Sequence, residues 1–233
     1  MTRAILIAAN RSGSTFLNYA LDSHYAIGWE RGEPLTELRD HADPVACVHG
    51  VLDAKRGYKV VGCKLSYRYL RDVLTWDGLE RLEIDRLIHL YRADAVRTTL
   101  SATINTMARD GAINRPYHTT EPLPPVHITV NVDDFVNECL RYVGNVRSMK
   151  QAIMDQDIPT FTMTYADLVN GEGNETNHVF TSVAHGTCLF LGVPYAPLTA
   201  NLRRVNPQPI DDIVTNWTEL AHALAPYEGE LYV

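Results

Sequence analysis

Apolar residues along this chain fall into short compact blocks separated by longer amphipathic stretches. Arg3 to Ala9 is an apolar run closed by polar turn residues, the pattern of a short buried strand. Thr15 to Leu21 has helical spacing, with Phe16, Leu17, Ala20 and Leu21 sharing a face. Tyr58 to Cys63, YKVVGC, follows the turn at Gly57 and predicts a second strand; Arg86 to Tyr91, RLIHLY, predicts a third. Asp94 is placed to cap the next helix, AVRTTLSATINTMARD, which Gly111 would end. Asp133 starts a long helix in which Phe135, Cys139, Tyr142, Val146, Met149 and Ile153 keep three- and four-residue spacing. Thr160 to Thr164 predicts a fourth strand after Pro159. Asn177 to Leu191 predicts a helix closed by Gly192 and Pro194, and Ile210 to Leu224 the last one. A Pro-rich loop from about Ala112 to Asn131 exceeds the usual loop length, which predicts a functional lid or an insertion.

Strands alternating with helices imply an α/β fold with a central parallel sheet covered on both faces, a three-layer sandwich. Such sheets bind ligands beyond the carboxyl ends of their strands. The first strand ends in AANRSGSTF, Ala8 to Phe16, where glycine and small hydroxyl residues follow one arginine. A loop entering a helix presents unpaired N–H groups and the positive end of the helix dipole. Gly13 allows close backbone approach, Ser12, Ser14 and Thr15 bring hydroxyl donors, and Arg11 brings a planar fork. The turn therefore suits a phosphate or a similar oxyanion. The plainer reading is a strand followed by a capped helix, with Ser14 as N-cap. The nucleotide-kinase pattern G-x-x-x-x-G-K-[ST] needs a first glycine and a lysine that this loop lacks, and no G-x-G-x-x-G is present.

Composition narrows the choice. The 233 residues suffice for one sizeable domain, and 45% of them are hydrophobic. A formal net charge of -7 argues against general attraction to nucleic acid or membrane, so an anionic ligand needs a local cluster of cations. The four cysteines are far apart, with no C-x-x-C, and neither H-E-x-x-H nor a Cys/His cluster occurs, so no metal site or disulfide framework is expected. The opening apolar run is too short to span a membrane and too near the start for a secretory signal; a reducing cytoplasm is the expected location. Asn10-Arg11-Ser12 is a glycosylation sequon, and a glycan there would block the loop, in keeping with that location.

RSGSTFL, Arg11 to Leu17, resembles the 5'-phosphosulfate loop of sulfotransferases that use 3'-phosphoadenylyl sulfate (PAPS), the carbohydrate and bacterial branches above all. The likeness continues in order. GEPL, Gly32 to Leu35, is similar to their Glu-Pro-Leu; VVGCKLSY, Val60 to Tyr67, to their second strand and its lysine; and LYRADAVRTTLS, Leu90 to Ser101, to their 3'-phosphate element. TYADLV, Thr164 to Val169, resembles their Tyr-Glu-Asp-Leu, and FLGVP, RRVNP and NWTEL fit the C-terminal part. The 3'-phosphate motif departs from the usual Arg-Asp-Pro, with Arg92-Ala93-Asp94 in its place, so Thr98 is able to share the task of Ser101.

This resemblance implies a single P-loop nucleotide-hydrolase-like domain over residues 1–233 and an enzyme with PAPS as co-substrate and no required metal. Arg11, Ser12, Gly13, Ser14, Thr15 and Phe16 would hold the 5' end; Arg92 and Ser101 would hold the 3'-phosphate, with Arg203 or Arg204 closing over it. Glu33 would be the general base, with Glu30 and Glu37 as neighbouring rivals and His49 as a further alternative. Lys64 would assist the leaving group, and Arg11 would stabilise developing charge. Trp29, Trp76, Tyr67 and Tyr117 are stacking candidates that fit core packing better. The remaining histidines, among them His118, His127, His178 and His185, read as surface or partly buried side chains. The implied partner is a small-molecule or glycan acceptor, with no nucleic acid and no membrane. A small-molecule kinase with a modified phosphate loop, and a binding module of the same fold without turnover, are the competing readings.

Overall fold

The computed structural model describes residues 1–35, 43–114, 116, 123–169, 178–202 and 208–233. Five strands form one sheet in the order β2-β3-β1-β4-β5. They are β1 (Thr2–Ala8), β2 (Ile27–Trp29), β3 (Val60–Ser66), β4 (Arg86–Tyr91) and β5 (Thr160–Thr164). Every pairing is parallel, as βαβ connections require. The central strand β1 is buried on both faces, so it reads as a continuous apolar run without alternation. Its Ala4, Leu6 and Ala8 face one core and Ile5 and Ile7 the other.

The first core is roofed by α1 (Ser14–Asp22) and α8 (Thr181–Leu191). The second is covered by α2 (Pro44–Asp53), a π-helical turn (Leu70–Leu74) after α3 (Tyr67–Tyr69), and α4 (Thr75–Arg81). The carboxyl-terminal part of α6 (Val132–Met154) completes that cover through Met149 and Ile153. A third cluster joins α5 (Ala95–Arg109), the start of α6 and α10 (Trp217–Leu224). Two short helices, α7 (Tyr165–Val169) after β5 and α9 (Ile210–Ile213) before α10, and a 3-10 turn (Ala225–Tyr227) after α10 complete the elements of the described residues.

The long apolar periods appear where expected, and Asp94 does cap α5, accepting from Arg97 N–H at 2.8 Å. Several boundaries differ. The second strand continues through Lys64 to Ser66, because its register with β1 runs to Ala8. Ile210 to Leu224 is two helices: Val214 is extended and pairs with Ile128, whose carbonyl accepts the Thr215 N–H, which breaks the run. That pairing also anchors the end of the Pro-rich segment, where Ile128 and Val130 are buried. The helix expected from Asn177 starts at Thr181 among the described residues; residues 170–177 lie outside them. Strand β2 and helices α2 and α4 are additions to the elements expected from the sequence: β2 has only three residues, whereas α2 does carry a start signal in Asp43-Pro44 and a buried face in Val48 and Leu52.

Candidate active site

The sheet order changes direction at β1: the chain runs through β2 and β3 on one side, then crosses to β4 and β5. A crevice at such a switch point lies outside the carboxyl ends of the strands. Each of the five strand ends delivers one piece of the candidate site. Arg11 to Thr15 follow β1, Glu33 follows β2, Lys64 lies near the end of β3, Arg92 follows β4 and Tyr165 follows β5.

The loop after β1 turns sharply. Arg11 has φ 62 and Gly13 has φ 81, both left-handed. Gly13 is itself the N-cap of α1 and no side chain caps the helix, so the reading of Ser14 as N-cap does not hold. Glycine is needed at position 13 for a second reason: a Cβ there would sit 2.5 Å from the Tyr165 ring. Ser12 is fully buried and turned inward, its hydroxyl donating to the Ala9 carbonyl at 2.6 Å. It shapes the turn, while Ser14, Thr15 and Phe16 occupy the first turn of α1, half-buried, where backbone N–H groups have no intrahelical acceptor. Phe16 also packs on the first core.

The expected 5' and 3' elements, far apart in the chain, meet. Arg11 Nε donates to Ser101 Oγ at 3.1 Å. The Arg92 guanidinium lies 4.7 Å from the centroid of the Tyr165 ring, whose edge abuts Gly13. Arg92, Tyr165 and the Gly13 turn thus form one packed stack. The Arg92 main chain is gripped by Tyr142 of α6, which accepts the Arg92 N–H at 3.0 Å and donates to the Arg92 carbonyl at 2.8 Å. Thr98 is buried, and its hydroxyl donates to the Asp94 carbonyl at 2.8 Å, within the helix. Arg203, Arg204, Glu37, Tyr117 and His118 lie outside the described residues.

Glu33 and Lys64 form an ion pair at 3.4 Å, with side-chain exposures of 16% and 14%. The other Glu33 oxygen accepts the backbone N–H of Ser66 at 2.5 Å. This bond ties the segment after β2 to the end of β3 and aims the carboxylate at the edge. The rivals are placed otherwise. Glu30 accepts the Gly32 N–H and lies 4.0 Å from Lys55. His49 is a helical neighbour of Asp53 on α2, at 3.1 Å. Trp29 is a core residue, fully buried, and Trp76 packs on the second core. Tyr67 bonds His89 Nε2 at 2.5 Å, and burial pushes its phenol above the ordinary range. Among the described residues no group of three or more His, Cys, Asp or Glu is placed to hold a metal ion, and no helix is long and apolar enough to cross a membrane.

Three residues of this region escaped the sequence reading of roles. Tyr165 sits in TYADLV, just past a strand, and its signals are that position and the likeness of the segment to Tyr-Glu-Asp-Leu, neither of which gives it a role. Tyr142 looks like one more core position of a long helix. Asn18 of α1 is buried, donates to the Glu30 and Arg31 carbonyls, and accepts the Trp29 Nε1–H.

No known family profile matches the chain, and no curated protein matches it in sequence. Among solved structures it is similar to the sulfotransferase domain from the curacin biosynthetic pathway, with a TM-score of 0.48 and 13% identity over 98% of each chain. It is also similar to a sulfotransferase from Alicyclobacillus acidocaldarius, with a TM-score of 0.54 and 15% identity over 99% of this chain and 96% of that one. From end to end, the chain has the α/β fold of a sulfotransferase.

Proposed function

We propose that this protein is a sulfotransferase that moves a sulfuryl group from PAPS to a hydroxyl of a small-molecule or glycan acceptor. The loop at Arg11–Thr15 holds the 5' end of the donor, and Arg92 with Ser101 holds the 3'-phosphate. Glu33 takes the proton of the attacking hydroxyl as its oxygen bonds to sulfur. The bond from sulfur to the bridging oxygen breaks, and its electron pair stays on the 5'-phosphate. Lys64 and Arg11 meet the charge that develops there, and α1 adds the positive end of its dipole. Positioning and electrostatics carry such a transfer, by analogy with phosphoryl transfer.

The observation that supports this reading most directly is the convergence at one sheet edge. The Glu33–Lys64 pair lies on the β2–β3 side of β1, and the Arg11–Ser101 contact on the β4 side. A carboxylate has about four lone-pair positions, so Glu33 keeps acceptor capacity beyond its bonds to Ser66 and Lys64.

Glu33→Gln tests the assignment. Turnover with PAPS should fall by roughly 10²–10⁴-fold, the usual contribution of a positioned base. The dissociation constant for adenosine 3',5'-bisphosphate (PAP) should stay unchanged. Undiminished turnover removes Glu33 as the base. Wild-type protein that binds neither PAP nor PAPS overturns the donor assignment.

A further inference from the structure

Arg92 is the first residue beyond β4, whose pairing with β5 ends at Tyr91 and Thr164. Its backbone N–H and C=O therefore lie past the ladder and need other partners. Both go to one atom. The Tyr142 hydroxyl accepts the N–H at 3.0 Å and donates to the carbonyl at 2.8 Å. Holding both groups of a single residue fixes the two peptide planes that meet at its Cα, and hence the direction in which the side chain leaves. Burial raises the Tyr142 phenol above its ordinary range, so the donating proton is retained at neutral pH. The contact spans fifty residues of chain and joins α6 to the candidate site.

We propose that Tyr142 is a positioning residue for the donor's 3'-phosphate, acting through the main chain of Arg92. The inference rests on the donor proposed above. Tyr142 sets where Arg92 leaves the sheet edge, and the Tyr165 ring then supports the guanidinium at 4.7 Å. Phenylalanine at position 142 keeps the ring and removes the hydroxyl, and with it both hydrogen bonds to Arg92 and the interaction with the Thr98 side chain.

The test compares two ligands that differ by the 3'-phosphate alone, PAP and adenosine 5'-phosphate. Dissociation constants are measured by titration calorimetry for the wild type, Tyr142→Phe, Arg92→Ala and the double variant. The wild type should prefer PAP. Tyr142→Phe should weaken PAP by roughly five- to tenfold, the scale of a lost hydrogen bond, and leave adenosine 5'-phosphate unchanged. With Arg92 already alanine, Tyr142→Phe should change neither ligand. Equal weakening of both ligands, no weakening of PAP, or the same loss without Arg92 overturns the inference while leaving the donor assignment standing. A wild type that does not distinguish the two ligands overturns the donor assignment, and the inference with it. Should Tyr142→Phe prove too unstable for calorimetry, amide exchange reads the same grip without ligand. Exchange at Arg92 should accelerate in the variant while the β4 amides stay protected, and unchanged exchange at Arg92 overturns the inference.

Discussion

At the scale of single residues, the group under most constraint is His89. It lies in β4 at 1% exposure, between the Tyr67 hydroxyl and the Tyr91 ring, whose far neighbour is the Lys150 ammonium. Burial, and secondarily the Lys150 charge, pull its pKa down from 6.5 to about 4. The neutral imidazole then shares its Nε2 hydrogen bond with Tyr67, whose own proton burial retains. The sign of the linkage follows. Below pH 6.5 the unfolded chain binds a proton at this position that the folded chain refuses, so stability falls as pH drops from 6.5 towards 4. The contribution of His89 is complete above pH 6.5 and levels off below 4. Between pH 7.5 and pH 5 it amounts to about 2 kcal/mol. His89→Gln keeps a hydrogen-bond partner for Tyr67, as donor or acceptor, but does not titrate. Urea midpoints measured at the two pH values should therefore drop further for the wild type than for His89→Gln. Parallel drops in the two proteins would mean that the imidazole protonates as easily folded as unfolded. The same retained-proton logic applies to Tyr142, whose hydroxyl must donate to hold Arg92.

At the scale of elements, β2 shows what a periodic reading of the chain catches and what it passes over. The strands β1, β3, β4 and β5 are apolar blocks long enough to stand out, and α5 and α6 carry a clear cap or a sustained helical period. Strand β2 has only Ile27, Gly28 and Trp29. It exists because of distant partners: the Trp29 indole lies against Gly62, where a Cβ would be 2.2 Å from the ring, and Glu30 N–H donates to the Gly62 carbonyl. Such complementarity leaves no local signature. Asn18 is equally silent, since an asparagine within a helix ordinarily reads as solvent-facing. Here it locks α1 to the end of β2, four residues before Glu33, with bonds to Trp29, Glu30 and Arg31 at 2.5, 3.1 and 2.6 Å. Asn18→Ala strands the buried indole N–H and loosens two carbonyls, so it should cost about 2–4 kcal/mol, at 1–3 kcal/mol per unsatisfied buried group. A double-mutant cycle with Trp29→Phe checks the assignment. The loss from Asn18→Ala should shrink once the indole N–H is gone, and strictly additive losses would show that the two side chains do not act together.

At the scale of the whole molecule, the sheet turns scattered short motifs into one edge. Arg11, Lys64 and Arg92 were legible as candidates because each stands just past a strand that the apolar pattern predicts, and a parallel sheet brings such positions together; Glu33 was legible only through its place in GEPL, since the short β2 before it gave no signal. What the sequence did not convey is how the edge is braced. Tyr142 and Asn18 act on backbone groups, and Ser12 spends its hydroxyl inside its own turn. The edge collects Arg11, Lys64 and Arg92 on a chain whose net charge is -7, so binding there should favour an anion matched in shape over polyanions in general. PAP presents two phosphates at separate ribose positions; ATP presents three in line. A ligand that binds only the folded chain stabilises it by about 2.7 kcal/mol at 100 times its dissociation constant. For a domain of this size that corresponds to a rise in Tm of roughly 5–10 °C. PAP should produce such a rise without added metal, and ATP with magnesium should produce little. The reverse pattern would assign the loop to a kinase-like phosphate chain. No response to either would mean that the convergence of Arg11, Ser101 and Arg92 serves the packing of the sheet edge and holds no nucleotide.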